Sequence, residues 1–360
     1  MNIVVFGDAG RVGAVRHGIV VDLNHAYRAW LRDAQGRSAA SAGDSELPCG
    51  LEQLIEKGPA GLHRAATALE YACAQLADDP LVVHAVSDVV LHPPSVRRPR
   101  IACAAGNFAA HTRGSQKSRL SAQEADPSDA LAGLVTAGTV PTEEEIVAKT
   151  RGTGVPRGFW KDFSFPVGPD EDIAYPAGAA LLDYEGEVAV VLGRRARDVP
   201  SAAGRSYLWG VTLLNDLSLR GVSGRGSLTF VPGKNFDGSA AIGPSILVGE
   251  FDPADIEIEV RVNGDLRQRH STSDMIFSHV EYLEYLTRTM TLWPGDMISG
   301  GSGAGSAIDS SRMKPGGQRW PDDLDPERFL KAGDVVELSS APIGVLRNRI
   351  VAAPAFTGTR

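Results

Sequence analysis

From Leu181 the chain reads LLDYEGEVAVVLG, an apolar, β-branched run broken by two carboxylates, Glu185 and Glu187. Residues of this type favour a strand. On a strand, a spacing of two points both carboxylates to one face. A fold built on this segment must let that face meet water or give the pair a cation. Asp216, which ends the apolar run WGVTLLND, faces the same choice. Three converging carboxylates would repel one another and be driven toward protonation. A hard divalent ion reverses that. All-oxygen donors suit Mg²⁺ or Mn²⁺, with Ca²⁺ also compatible, rather than Zn²⁺. A solvated strand face is the plain alternative.

Strand patterns dominate from Phe159 onward: LWGVTLLND, EIEVRVNGDLRQ, DVVELSS and GVLRNRIVAA. Asn263-Gly264 is a strong hairpin signal, and HVEYLEYLTRTM reads as one helix. The expected class is α+β, mostly β. Upstream, residues 1–95 read as a small N-terminal domain of hairpins plus helices, the helices at HAYRAWLRDA, LEQLIEKG and HRAATALEYACAQLADD. VVLHPPSVRRPR, with its prolines and arginines, suits an exposed linker. Residues 96–360 form the second domain. Within it, residues 113 to about 155 are rich in Ser, Ala, Gly, Thr and acids, apart from ALAGLV and a short helix candidate at EEEIVAK. Such a stretch suits a lid-like insert, with a surface loop or a dimer contact as alternatives.

The first residues, MNIVVFGDAGRVG, imitate a dinucleotide-binding loop. That motif needs a helix directly after its glycines and an acid roughly 20 residues on. Here AVRHGIVVDL follows, which reads as a hairpin, and Asp22 comes too early. The net charge of −8 and pI near 5.5 argue against nucleic acid and anionic membrane surfaces as partners. Three cysteines without metal spacing fit a reduced, cytoplasmic setting. No run approaches a membrane span, and no secretory signal opens the chain.

Six ordered blocks resemble the fumarylacetoacetate hydrolase family: DYEGEVAVVLG, GVTLLNDLSLRG, GKNFDG followed by AIGPS, VNGDLRQ with TSDMIF, MTLWPGDMISGG, and LKAGDVVE with IGVLRNR. They run from about Ile101 to Ile350, and RVGAVRHGIVVDL resembles the small N-terminal domain of many members. The resemblance implies a mixed β-roll, usually dimeric, with a divalent metal on Glu185, Glu187 and Asp216. It implies a catalytic and substrate-binding cation at Lys234, a catalytic base at His111 of GNFAAH, and substrate contacts at Gly301 and Ser302. From the residues alone, Lys234 could be a turn lysine, His111 a structural donor, and Ser302 part of a Gly-Ser turn.

Departures from the family pattern cluster around the substrate. Gly114 stands where many members carry a Glu three residues after the histidine. Leu219-Arg220-Gly221 replaces Ala-Arg-Asp, and GGSGAG replaces TGTPAG. Glu143, Glu144 and Glu145 are candidates for the missing acidic partner, with a solvated charge run as the alternative. The implied activity is a divalent-metal-dependent hydrolase cleaving a carbon–carbon bond in a 2-oxo or 1,3-dicarbonyl acid through a metal-bound enolate. The same site also serves decarboxylases, isomerases or dehydratases of 2-oxo acids, and the departures permit a non-catalytic ligand-binding member. The implied partner is a small-molecule 2-oxo or dicarbonyl acid, with a second copy of the chain as homodimer.

Overall fold

A computed structural model describes all residues except 37–38, 121–139, 163–164, 178, 180, 221–229, 313, 315–322 and 353–360. The N-terminal part contains β1 (Asn2–Phe6), β2 (Arg11–Arg16) and β3 (Ile19–Asp22), then α1 (Leu23–Asp33), α2 (Ala39–Glu46), α3 (Leu51–Glu56) and α4 (Gly58–Gln75). Short strands β4 (Val83–Ala85) and β5 (Leu91–His92) follow. The turn between β2 and β3 uses His17 and Gly18, both at positive φ (49° and 81°). That is the hairpin geometry matching strand twist, and it removes the helix a dinucleotide loop requires. Asp22 caps α1 by accepting from the backbone N–H of His25 at 3.0 Å.

The rest of the chain supplies β6 (Ile101–Ala104), α5 (Ala109–Leu120), α6 (Glu143–Gly152), β7 (Gly158–Lys161), β8 (Asp172–Ala174), β9 (Leu181–Asp183) and β10 (Gly186–Leu192). Next come α7 (Ser201–Gly204), β11 (Leu208–Asp216), β12 (Ser218–Arg220), α8 (Phe230–Lys234), β13 (Ala240–Val248), β14 (Glu257–Val262) and β15 (Asp265–Ser271). The chain closes with α9 (His279–Thr287), β16 (Met297–Ser302), α10 (Ala307–Ser310), β17 (Val335–Ser340) and β18 (Gly344–Val351).

Strand and helix are mixed, with strands forming the frame. One large sheet runs β4-β3-β2-β1-β13-β11-β10-β16-β6-β7, with β5 on β1. A second sheet runs β15-β14-β17-β18-β8, and β9 and β12 pair separately. The N-terminal hairpins join the large sheet directly, because β1 pairs with β13. The stretch expected as an exposed linker is partly buried instead. Pro94 and Pro99 are buried, and Arg100 forms an ion pair with Asp296.

The period of two along β10 explains its uninterrupted apolar run. Ala189 and Val191 pack with Ile3, Val5, Leu31 and Trp209 in one core. Val188, Val190 and Leu192 pack with Ile258, Val260, Leu338 and Leu346 in another. The strand is therefore buried on both faces, so Glu187 cannot lie on a solvated edge, and Glu185, just before the strand, is buried as well. Of the expected insert, residues 121–139 lie outside the described residues. Its ends are α5 and α6, and α6 carries out the helix expectation at EEEIVAK. Among the described residues, no helix is long and apolar enough to cross a membrane.

Candidate active site

β10 pairs antiparallel with β11 on one side and with β16 on the other. This brings Glu187 opposite Leu214 and Ser302, and the Asp216 N–H to the Glu185 carbonyl at 2.8 Å. Glu185, Glu187 and Asp216 are 4%, 2% and 0% exposed. All three line one cavity of about 580 Å³, together with His111, Lys234, Arg220 and Ser302. Six of the seven expected site residues thus share this cavity. Gly301 does not line it. Its positive φ of 89° serves close packing, since a Cβ there would lie 3.0 Å from the Ala104 carbonyl oxygen.

Buried cations hold most of the carboxylates. Lys234 Nζ donates to Asp216 at 2.6 Å and also to Glu185. Lys161 Nζ donates to Asp216 and, at 2.8 Å, to the Lys234 carbonyl. Arg220 donates to Asp183 at 2.8 and 3.1 Å and to Glu185. Burial pushes the Glu185 carboxyl up, but Lys234 and Arg220 outweigh it and hold the group well below the usual carboxylate range. Those same carboxylates keep Lys234 and Arg220 firmly charged despite burial.

Glu187 is different. Among the described residues its partner is the Ser299 hydroxyl rather than a cation. Burial first, and then the charge of Asp216, push its carboxyl well above the normal range. The cluster thus sets four carboxylates (Asp183, Glu185, Glu187, Asp216) against three fixed cations (Lys161, Lys234, Arg220). A buried charge network of this kind adds little stability over apolar packing, and an unpaired member costs several kcal/mol (roughly). One divalent cation would remove that cost. Ligand atoms of Cys103, Glu187 and Asp216 lie within 4.8 Å of one another. The donor set fits a divalent ion, with Glu185 beside it and the Cys103 thiol as an added donor.

His111 sits in the first turn of α5, behind the buried Asn107. The Asn107 amide donates to the Phe277 and Gly300 carbonyls at 2.8 and 2.9 Å and accepts from the Phe277 N–H at 2.8 Å. These bonds fix the loop that launches α5. His111 Nδ1 donates to Asp309 at 2.8 Å, and Nε2 lies 4.0 Å from Glu185. Burial works against the imidazolium, but the Asp309 charge and hydrogen bond, with Glu185, raise its pKa to about 9. Asp309 therefore supplies the acidic partner expected near Glu143–Glu145. Glu145 instead closes the capping box of α6 with Thr142, which leaves that acidic run at a helix start.

Ser302 accepts from Gln268 Nε2 at 2.9 Å, while Gln268 Oε1 accepts from the Gly186 N–H at 3.0 Å. Gln268 thereby ties the β16 loop to the strand bearing Glu187. Sequence reasoning missed Lys161, Cys103, Gln268 and Asp309. Lys161 had a weak signal, a lysine among aromatic residues in GFWKDF. Asp309 had none, because it reaches His111 from 198 residues away.

Among the described residues, one cavity thus brings together a carboxylate cluster, a buried lysine and a carboxylate-oriented histidine, a donor set compatible with a divalent cation. The chain belongs to the fumarylacetoacetate hydrolase family: residues 100–351 match the family model described as Fumarylacetoacetate (FAA) hydrolase C-terminal. It is 37% identical over 174 residues to an oxaloacetate tautomerase of Bacillus subtilis, covering 47% of this chain and 52% of that one. It is 27% identical over 314 residues to a mitochondrial oxaloacetate tautomerase of Bos taurus, covering 86% and 82%. Among solved structures, a fumarylacetoacetate hydrolase from Exiguobacterium antarcticum superposes with a TM-score of 0.61 at 25% identity, over 98% of this chain and 99% of the other. A maleylpyruvate hydrolase from Sphingobium, solved with manganese and pyruvate, shares the fold with a TM-score of 0.62 at 20% identity, over 98% and 100%.

Proposed function

We propose that this chain is a divalent-cation-dependent enzyme acting on a 2-oxo or 1,3-dicarbonyl acid, with hydrolysis of a carbon–carbon bond as its leading reaction. One observation carries the proposal: His111 Nε2, held by Asp309 through Nδ1, faces the Glu185–Glu187–Asp216 cluster inside one cavity. A cation on Glu185, Glu187 and Asp216 supplies Lewis acidity toward the 2-oxo group and, by its charge, lowers the proton affinity of His111.

The chain's own groups do the rest. His111 takes a proton from water, and Asp309 stabilises the resulting imidazolium. The water oxygen bonds to the distal carbonyl carbon. The bond from that carbon to its neighbour breaks, and the electron pair remains as the enolate of the 2-oxo acid. Lys234 balances the enolate charge. His111 then returns its proton to the enolate carbon. Ser302, steadied by Gln268, offers a hydroxyl to the substrate carboxylate.

A second activity uses the same groups without cleavage: His111 moves a proton between carbon and oxygen, interconverting keto and enol forms. The names of the bacterial and bovine relatives favour it. Purified protein with Mn²⁺ or Mg²⁺ and an acylpyruvate tests the first reaction, which releases pyruvate and a carboxylic acid. Accelerated keto–enol exchange of oxaloacetate without cleavage supports the second, and carbon dioxide release would mark a decarboxylase. No turnover of either compound with the cation present overturns both proposals.

A further inference from the structure

Gln268 lies on β15, in the second sheet, and is only 1% exposed. Burying an amide costs free energy unless its donors and acceptor are met. Here all of them are met by the first sheet and the loop after β16. Oε1 accepts from the Gly186 N–H at 3.0 Å. Nε2 donates to the Gly303 carbonyl at 2.8 Å and to Ser302 Oγ at 2.9 Å. Two residues on, the buried His270 accepts from the Gly303 N–H at 3.3 Å. Side chains of β15 thus hold both backbone groups of Gly303. They do so where the β10–β16 register slips, between Glu187 and Ala189, beside Ser302.

The two backbone partners fix which way the Gln268 amide points. Turned over, it would set its NH₂ against the Gly186 N–H and its oxygen against the Gly303 carbonyl, like against like. Ser302 Oγ therefore receives a hydrogen bond. A serine hydroxyl carries one proton of its own, and Gln268 does not take it. Among the described residues, that proton can reach the Gly303 carbonyl at 3.4 Å, a long contact to an oxygen Gln268 already occupies. Ser302 lines the cavity, so its proton is free to turn there.

We propose that Gln268 is a positioning residue that sets the hydrogen-bond direction of Ser302. By donating to Oγ it makes Ser302 a donor toward the cavity, which suits an anionic oxygen and not an ammonium group. The same amide anchors Gly186, the residue between Glu185 and Glu187, so the hydroxyl and the two carboxylates keep one spacing. Gln268 acts from behind, since it does not itself line the cavity. The inference rests on the proposed 2-oxo acid function and adds to it a residue from the second sheet.

Pyruvate binding to the Mn²⁺-loaded protein, followed by calorimetry, tests this in a double-mutant cycle. In the wild-type background, Ser302→Ala should weaken pyruvate about tenfold, the loss of one hydrogen bond to a charged group. Gln268→Glu offers Ser302 an acceptor in place of a donor and turns the serine proton away from the cavity. In that background Ser302→Ala should change the affinity less than about twofold. Gln268→Met removes the donor at similar volume, and there the same truncation should cost less than about threefold. The methionine variant decides the question if the glutamate variant does not fold. A merely structural Gln268 would leave the full cost of Ser302→Ala in both backgrounds. That result overturns the inference, as does a wild-type background in which Ser302→Ala changes nothing. Failure of the 2-oxo acid function looks different: the wild type loaded with Mn²⁺ does not bind pyruvate, and the inference falls with it.

Discussion

The Nδ1 of His111 donates a 2.8 Å hydrogen bond to Asp309, and Gly114 is what leaves room for it. A Cβ on Gly114 would lie 2.9 Å from the Asp309 Cβ and 3.1 Å from its Cγ. The orienting carboxylate therefore arrives from α10, in the space a side chain on α5 would otherwise fill. A departure that removes the acid from one helix is matched by an acid from another, and the histidine keeps its partner.

This arrangement makes Gly114 behave unlike an ordinary helical glycine. Glycine-to-alanine changes in helices usually stabilise by about 1 kcal/mol. Gly114→Ala should instead destabilise by roughly 1–3 kcal/mol, because Asp309 must shift. Gly114→Glu alone should lower both stability and turnover, and Asp309→Gly added to it should recover part of each. Denaturant unfolding and initial rates on the four proteins decide this; a double variant no better than Gly114→Glu removes the steric link.

Asp309→Asn keeps the shape and removes the charge. Turnover should fall on the order of 100-fold with KM little changed, the signature of a lost acid–base partner. Mn²⁺ affinity should stay near wild type, since Asp309 touches His111 rather than the cation cluster. A matching loss of Mn²⁺ binding would place Asp309 in the cation site instead.

Much of the frame was legible in the sequence because its signals are local. The β10 pattern, the His17-Gly18 and Asn263-Gly264 turns and the helix at HVEYLEYLTRTM depend on neighbours a few residues apart. Glu185, Glu187 and Asp216 could be proposed from strand period and resemblance, since β10 and β11 are adjacent partners. Asp309 and Lys161 could not, because each acts through a contact made only in the folded chain. Cys103 shows no metal spacing in the sequence, and only the β6–β16 pairing carries it toward Glu187 and Asp216.

Among the described residues, Glu187 is the carboxylate of the cluster without a hydrogen-bonded cation, so its removal should separate stability from cation binding. Glu187→Gln should leave the cation-free protein as stable as wild type or up to roughly 2 kcal/mol more so, because a buried, repelled acid is neutralised. Mn²⁺ should raise the melting temperature of the wild type, and Glu187→Gln should abolish that rise. A variant that melts with the wild-type Mn²⁺ shift is incompatible with Glu187 as a ligand.

Asn107→Ala leaves the Phe277 and Gly300 carbonyls and the Phe277 N–H without their partner. Three lost buried bonds should cost roughly 2–4 kcal/mol. Because this loop launches α5, turnover should fall even at temperatures where the variant is folded. A variant with reduced stability but wild-type turnover would show that the latch does not position His111.

Two buried histidines outside the carboxylate cluster should contribute to the response to acid. Burial lowers His279 and His270 from 6.5 to about 4. His279 Nε2 donates to the Val188 carbonyl, and His270 Nε2 accepts from the Gly303 N–H, so both rings serve the fold as neutral groups. Their unfolded forms bind protons more readily than their folded forms. Their stabilising effect is therefore complete above about pH 6.5 and is lost as pH falls toward 4. Each histidine should contribute on the order of a few kcal/mol to that loss. Urea unfolding at several pH values between 7 and 4 should show stability falling across this window. His279→Gln, whatever its effect at neutral pH, should fall less steeply. An identical slope in the variant would mean that His279 does not govern acid unfolding.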